Sequence, residues 1–390
     1  MEQNNAAWIP RIRELIASEG RMGVLAVRGR KDEPIYGIPF DRYMAYCLYD
    51  EEHGYYKSGR ARVGKDGDFY TSASIGSVLG DVLADDLLLK GALPNEEGPM
   101  YEWGAGTGRL GLQLLARWRS RVSEQAEAIR YRMVDGHPEH RRTAEAAARE
   151  AGFASPVVEC LSPEEAEERL REGGRPAVVL ANELLDAFPV RRLIRRGGSL
   201  WEIGTAYDEE TGLLCDCYLP LSDEDERRAS SEEIGLKLRE GQEGEWRAAA
   251  LEWLRQTCRL VPGGTIVLID YGDEAQELFA GHRMRGTLLC YYKHQAHDNP
   301  YLHPGEQDMT AHVNFTAIRA AAAEEGWETV YYGTQKRYLV DHGVLELLQA
   351  HHDPNPFSEA AKRNRAIRQL LLSDGMSELF KVLVLSKPQA

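Results

Sequence analysis

Apolar and polar positions alternate along this chain in blocks long enough to define elements. Nearly continuous apolar runs stand at residues 100–103, 129–134, 177–181 and 265–269. The first opens into a glycine loop, and the others close on Asp135, Asn182 and Asp270. Short runs of this kind predict strands buried on both faces of a parallel sheet, and residues just past the C-terminal ends of such strands are where open α/β sheets keep their chemistry. Between the runs, helical patterns predict helices over 109–121, 139–151, 163–171 and 244–260. Strand and helix in alternation predict an α/β, doubly wound sheet. Residues 328–332 and 379–385 read as two final strands around a helical stretch at 344–372, with an antiparallel strand expected at the end.

Three segments do not fit this alternation. Residues 1–95 precede the first sheet strand and carry helical patterns near 11–18 and 76–90, so they read as a helical N-terminal cap over a domain spanning 96–390. Residues 190–241 are charge-rich, with Trp201 and Tyr207 in an expected hairpin, and 279–312 form a second insertion. Stretches that long inside a domain usually carry function or a subdomain.

Composition narrows the function classes. The 390 residues hold 47 Lys and Arg against 62 Asp and Glu, a formal charge of −15. Binding to nucleic acid or anionic lipid draws on clustered basic residues, so neither partner is expected, whereas an acidic surface suits a cationic one. The N-terminal residues contain Glu2, Arg11, Arg13 and Glu14 with no apolar signal region, and no window approaches the length of a membrane span. The six cysteines are scattered, and Cys215 and Cys217 lack C-x-x-C spacing. Reduced thiols and a cytoplasmic location are the expectation.

The sharpest local signal is Glu102-Trp103-Gly104-Ala105-Gly106-Thr107-Gly108, between an expected strand and helix. Glycines at alternate positions permit positive φ and let a ligand sit against bare peptide at a helix N-terminus. Gly106, Gly108 and Gly111 also match a dinucleotide fingerprint, a weak signal by itself. Glu102, two positions before the first glycine, favours S-adenosylmethionine over a nicotinamide dinucleotide, because a carboxylate there can face a methionyl ammonium and has no use beside a pyrophosphate. Asp135 is placed to accept hydrogen bonds from ribose hydroxyls of either cofactor. The bland alternatives are a tight turn for the glycines and a helix N-cap before Pro138 for Asp135.

More specific runs follow in order: Glu52-His53-Gly54-Tyr55-Tyr56, Gly67-Asp68-Phe69-Tyr70-Thr71-Ser72, and Asn182-Glu183-Leu184-Leu185-Asp186-Ala187-Phe188-Pro189. Later come Asp270-Tyr271-Gly272, Tyr291-Tyr292, and Pro304-Gly305-Glu306-Gln307-Asp308 with His312 and Phe315. Together these resemble the MidA-like family of class I S-adenosylmethionine-dependent methyltransferases, which is related to a mitochondrial complex I assembly protein arginine methyltransferase. The resemblance runs from about residue 38 to 385. It implies a Rossmann-like seven-stranded sheet, S-adenosylmethionine as cofactor, Thr71 and Ser72 near its methionine end, and a protein substrate with an acceptor arginine.

A guanidinium is a poor nucleophile, so its methylation calls for carboxylates that orient it, localise its charge and take up a proton. Asn182, Glu183 and Asp186 supply such a group directly after a buried strand. Glu183 is expected to face the acceptor, with Asp186 as an alternative partner, and Asn182 to shape the cofactor edge; helix capping by Asn182 and Asp186 is the bland reading. Asp270 suits a loop-stabilising role or a substrate role equally. Tyr271, Tyr291, Tyr292 and Phe315 read as walls of a pocket. His294, His297, His303 and His312 with Asp308 match no zinc spacing, and no metal is expected. The competing functions are a small-molecule O- or N-methyltransferase and a cofactor-binding assembly chaperone.

Overall fold

The computed structural model describes residues 7–26, 33–57, 75–233, 237–349, 355–372 and 376–388. Helix α1 (Trp8–Glu19) forms because Trp8, Ile12 and Ile16 repeat every four residues and bury one face. It is followed by β1 (Arg21–Leu25), β2 (Pro34–Pro39), α2 (Phe40–Tyr49) and α3 (Val78–Leu89). The alternating core then runs β3 (Met100–Trp103), α4 (Arg109–Arg121), β4 (Tyr131–Val134), α5 (Pro138–Glu150), β5 (Val158–Leu161), α6 (Pro163–Gly173) and β6 (Ala177–Asn182). Next come β7 (Arg191–Arg196), β8 (Ser199–Asp208), β9 (Leu213–Pro220), α7 (Asp223–Glu232), β10 (Glu243–Trp246), α8 (Ala248–Leu260) and β11 (Gly264–Asp273). The chain continues through α9 (Ala275–Leu278), β12 (Leu289–Tyr292), β13 (Gln295–His297), β14 (Asp308–Thr310), β15 (Val313–Asn314) and α10 (Phe315–Glu324). It finishes with β16 (Glu328–Thr334), α11 (Gln335–Asp341), α12 (Glu359–Leu372), α13 (Met376–Leu379) and β17 (Phe380–Lys387).

The central sheet has the order β16-β17-β11-β6-β3-β4-β5, with the short β15 alongside β11. Strands β5, β4, β3, β6 and β11 are parallel, and β17 is antiparallel to both its neighbours. These seven strands on one path form the Rossmann-like sheet expected. Its order reverses between β3 and β6, and the crevice beyond their C-terminal ends is the ligand position of an open α/β sheet. Side chains of α3, α4, α5 and α12 fill one face, and those of α6, α8 and α10 the other. Strand β5 escapes the apolar-run reading because only its end residues, Val158 and Leu161, are buried.

The N-terminal segment departs from expectation. It is not wholly helical: β1 and β2 join β7 to β10 in a second sheet of order β10-β7-β8-β2-β1-β9, in which β8 also pairs with β9. The cap and the 190–241 insertion are therefore one β structure. The expected helix at 244–260 begins only at Ala248, because Glu243–Trp246 pairs antiparallel with β7. The 279–312 insertion carries a third, three-stranded sheet, β13-β12-β14. Trp8, Ile12, Phe40, Tyr43 and Met44 from the N-terminus pack with Leu288, Cys290, Tyr301 and Met309 of this insertion, bringing both segments over the end of the central sheet.

Candidate active site

Between β3 and α4, Gly104, Gly106 and Gly108 have φ of 69°, 55° and 78°. All three lie in the left-handed region, where a side chain is strained. Gly108 also has no room: a Cβ would stand 2.7 Å from the Met133 sulfur. At Gly106 a Cβ would meet nothing within 4 Å, so this peptide presents an open face. A Cβ at Gly104 would lie 3.0 Å from Leu184, so the loop touches the segment after β6.

Glu102 supports this loop from beneath. It is buried, accepts a hydrogen bond from the Tyr131 hydroxyl at 2.8 Å, and packs so closely on Gly111 that a Cβ there would be 2.6 Å from its Oε2. Burial pushes its carboxyl up to about 7, against the Tyr131 hydroxyl and the Gly111 N–H, which favour the charged form. Gly111 thus serves close packing of α4 on β3 and is not part of the open loop.

Asp135 joins the loop directly. Its Oδ2 accepts from the Gly106 N–H at 2.9 Å, while Oδ1 accepts from the His137 N–H at 2.7 Å and faces His140 Nδ1 at 3.3 Å. It is not the cap of α5. That role falls to His137, whose Nδ1 accepts from the Glu139 N–H at 3.1 Å while Nε2 lies 3.0 Å from the Lys57 carbonyl. Thr71 and Ser72 lie outside the described residues.

Beyond β6 a second group forms. Asn182 Nδ2 donates to Glu183 Oε1 at 3.2 Å, and Asn182 Oδ1 is buried with no partner among the described residues. Glu183 has φ 55°, left-handed for a residue with a side chain. Asp186 is buried, and burial, then Asp270, then Asp308 hold its carboxyl well above the usual range. Asp270 answers the choice left open by its position. Its Oδ2 accepts from the N–H groups of Leu185 (2.7 Å) and Asp186 (3.3 Å), and Oδ1 from Tyr271 (2.8 Å), so it stabilises the turn.

Asp308, on β14, is fully buried and accepts from the Tyr56 hydroxyl at 2.6 Å. Tyr56 stacks on Tyr49, ring centroids 5.4 Å apart, and the Tyr49 hydroxyl donates to the Ala187 carbonyl at 2.8 Å. The Tyr49 ring thus ties α2 to the turn after β6. Burial raises the Tyr271 and Tyr291 phenols, and nearby carboxylates add to it, Glu183 and Asp186 for Tyr271 and Asp308 and Asp186 for Tyr291. Two of the expected pocket walls are elsewhere: Phe315 is buried in the core against β11, and Tyr292 stacks on His303. Tyr49 escaped the sequence reading, and Tyr56 entered only as part of a motif. Its partner Asp308 stands 252 positions away, beyond any spacing argument. Burial and Arg247 push the His312 imidazole down to about 4, so it is a neutral structural group.

The family model of S-adenosyl-L-methionine-dependent methyltransferases matches residues 79–333. Among curated proteins, the protein arginine methyltransferase NDUFAF7 homolog, mitochondrial, of Drosophila melanogaster is 25% identical over 318 residues, covering 74% of this chain and 67% of the relative. A COG1565 superfamily member from Burkholderia thailandensis bound to S-adenosyl-homocysteine is 29% identical, with TM-score 0.78 over 98% of this chain and 92% of that one. A native crystal structure of a COG1565 superfamily protein from the same organism has the same TM-score at 28% identity.

Proposed function

The chain belongs to this family of S-adenosyl-L-methionine-dependent methyltransferases, and we propose that its acceptor is an arginine side chain on a protein substrate. The residues present fit the cofactor. Gly106 offers an open peptide face at the start of α4, Asp135 stands on that peptide as an acceptor for ribose hydroxyls, and Asn182 keeps an unpaired buried oxygen at the neighbouring strand end. When bound, S-adenosylmethionine supplies an electrophilic methyl group on a sulfonium.

The observation that carries the arginine reading is the meeting of the Glu183-to-Asp186 turn with Asp308 and tyrosine rings, through the Ala311 N–H on the Asp186 carbonyl, the Tyr56 hydroxyl on Asp308 and Tyr291 opposite Asp308 in the β12–β14 pair, joined to the cofactor loop through Leu184 and Gly104. Carboxylates accept the N–H groups of a guanidinium, and tyrosine faces attract a planar cation. Asp186 is held toward its neutral form by its own burial and then by Asp270 and Asp308, and an entering cation opposes that balance. Glu183, half-buried where Asp186 and Asp308 are buried and set on a strained turn, is the member proposed to hold the acceptor and take its proton. The name of the Drosophila relative and the acidic charge of −15, which steers cationic partners, support the same reading.

The test combines calorimetry and transfer. The purified protein is expected to bind S-adenosyl-homocysteine and to pass a labelled methyl group to protein in cell extract, with methylarginine in the hydrolysate. Glu183→Gln is expected to keep cofactor affinity and lose about 100-fold or more in transfer. Label recovered only on a small metabolite, or full activity in Glu183→Gln, sinks the proposal.

A further inference from the structure

We propose that Asp270 is a positioning residue that holds the Glu183 turn in its strained backbone and so sets where the Glu183 carboxylate stands. The inference rests on the acceptor role assigned to Glu183 above. A non-glycine residue persists at positive φ only where its surroundings over-determine it, and such strain collects at functional sites. Here the turn is held from three separate chain segments. Asp270, within β11, takes the Leu185 and Asp186 N–H groups at 2.7 and 3.3 Å. The Ala311 N–H, from the 279–312 insertion, donates to the Asp186 carbonyl at 3.1 Å. The Tyr49 hydroxyl, from α2, donates to the Ala187 carbonyl at 2.8 Å. The strand side is closed by the Glu183 N–H on the Ile269 carbonyl at 2.8 Å.

Asp270 is the central member because its side chain, 1% exposed, accepts on both oxygens; burial pushes its carboxyl up to about 7, while the Leu185, Tyr271 and Asp186 N–H groups favour the charged form. In Asp270→Asn one acceptor becomes an NH2 group facing an N–H, so either the Leu185 and Asp186 bonds or the Tyr271 bond must break. Asp270 makes no hydrogen bond to a loop glycine or to Asp135, so cofactor binding, which meets the turn only through Leu184 on Gly104, is expected to change much less than the turn itself.

The experiment has an arm that needs no acceptor. In Asp270→Ala, which removes both acceptor oxygens, the Leu185 and Asp186 amides are expected to exchange hydrogen about tenfold faster or more, with S-adenosyl-homocysteine affinity falling much less. Loss of the clamp lets the parent relax Glu183 and recover part of the cost, whereas glycine takes φ 55° without strain, so Asp270→Ala should lower the melting temperature more in a Glu183→Gly background than in the parent. Equal melting losses in both backgrounds, or unchanged exchange at Leu185 and Asp186, overturn it.

The second arm reads catalysis. With the labelled acceptor, kcat of Asp270→Ala is expected to fall about 30-fold with KM nearly unchanged, and the same change on Glu183→Gln to cost less than about threefold more. Independent, multiplying losses overturn the positioning role. If the parent chain methylates nothing, the arginine reading fails by itself, and the exchange and melting comparisons still decide the clamp.

Discussion

Gly106 and Glu183 share the left-handed region for opposite reasons. Gly106 is there because nothing occupies its Cβ direction and a ligand can, whereas Glu183 is there because bonds from its neighbours hold it. Gly106→Ala is expected to cost about 1–2 kcal/mol of stability from the left-handed alanine alone. The added methyl also stands on the open face, so S-adenosyl-homocysteine affinity should fall about tenfold or more, a drop of about 1.4 kcal/mol read by calorimetry. Unchanged affinity would show that the ligand does not approach this peptide. Glu102 gives a prediction in pH. Its folded carboxyl is raised from 4.5 to about 7, so between those values the native state keeps a proton that the unfolded chain has released. Its contribution is present in full below pH 4.5 and is lost as pH rises through about 7. Melting curves of the parent and Glu102→Gln across that window should therefore diverge, the parent losing ground as pH rises. A constant difference would mean that the carboxyl is not desolvated under the loop.

At the scale of elements, the two helices flanking Asp135 and the loop begin in unusual ways. Helix α4 starts on a left-handed glycine with no side-chain cap, leaving its first N–H groups directed toward the crevice. Helix α5 is capped by an imidazole, and the other ring nitrogen ties it to Lys57. His137→Ala should lose about 1 kcal/mol with the cap, and His137→Asn should recover it, since asparagine is a strong N-cap. Thermal unfolding of the pair separates capping from the Lys57 contact: if His137→Asn remains as unstable as His137→Ala, the tether and not the cap carries the energy.

Across the whole molecule, one buried arginine links elements that the chain order keeps apart. Arg247, 3% exposed, pairs with Glu233 at 3.4 Å and Glu245 at 3.3 Å, and also donates to the His312 carbonyl and to Thr287. Glu245 in turn accepts from the Thr287 and Leu288 N–H groups at 2.7 and 3.2 Å, so the second sheet, α7, α8 and the 279–312 insertion meet here. Arg247→Met removes the cation and strands two buried carboxylates, which costs about 3–5 kcal/mol. Denaturant unfolding measures it; a loss under about 1 kcal/mol would mean that water already reaches the pair.

The sequence by itself determined whatever depends on neighbours along the chain. Period and turn chemistry set the β3-loop-α4 unit, the strand ends at Asp135 and Asn182, and the alternation of the central elements apart from β5, because strand and helix periods are local properties; β11 runs past the expected end at Asp270 to Asp273, where it pairs with β15. The motif runs carried the family and its cofactor. Tertiary structure alone decided what meets across long separations: β1 and β2 entering one sheet with β7 to β10, Tyr56 reaching Asp308, and Asp270 capping the Glu183 turn. A strand's alternation records that one face is buried and not which strand it pairs with, and a carboxylate records that it can accept and not from whom. Those choices follow from packing of the assembled core, where burial turns each unmatched donor or charge into a cost that only the correct partner removes.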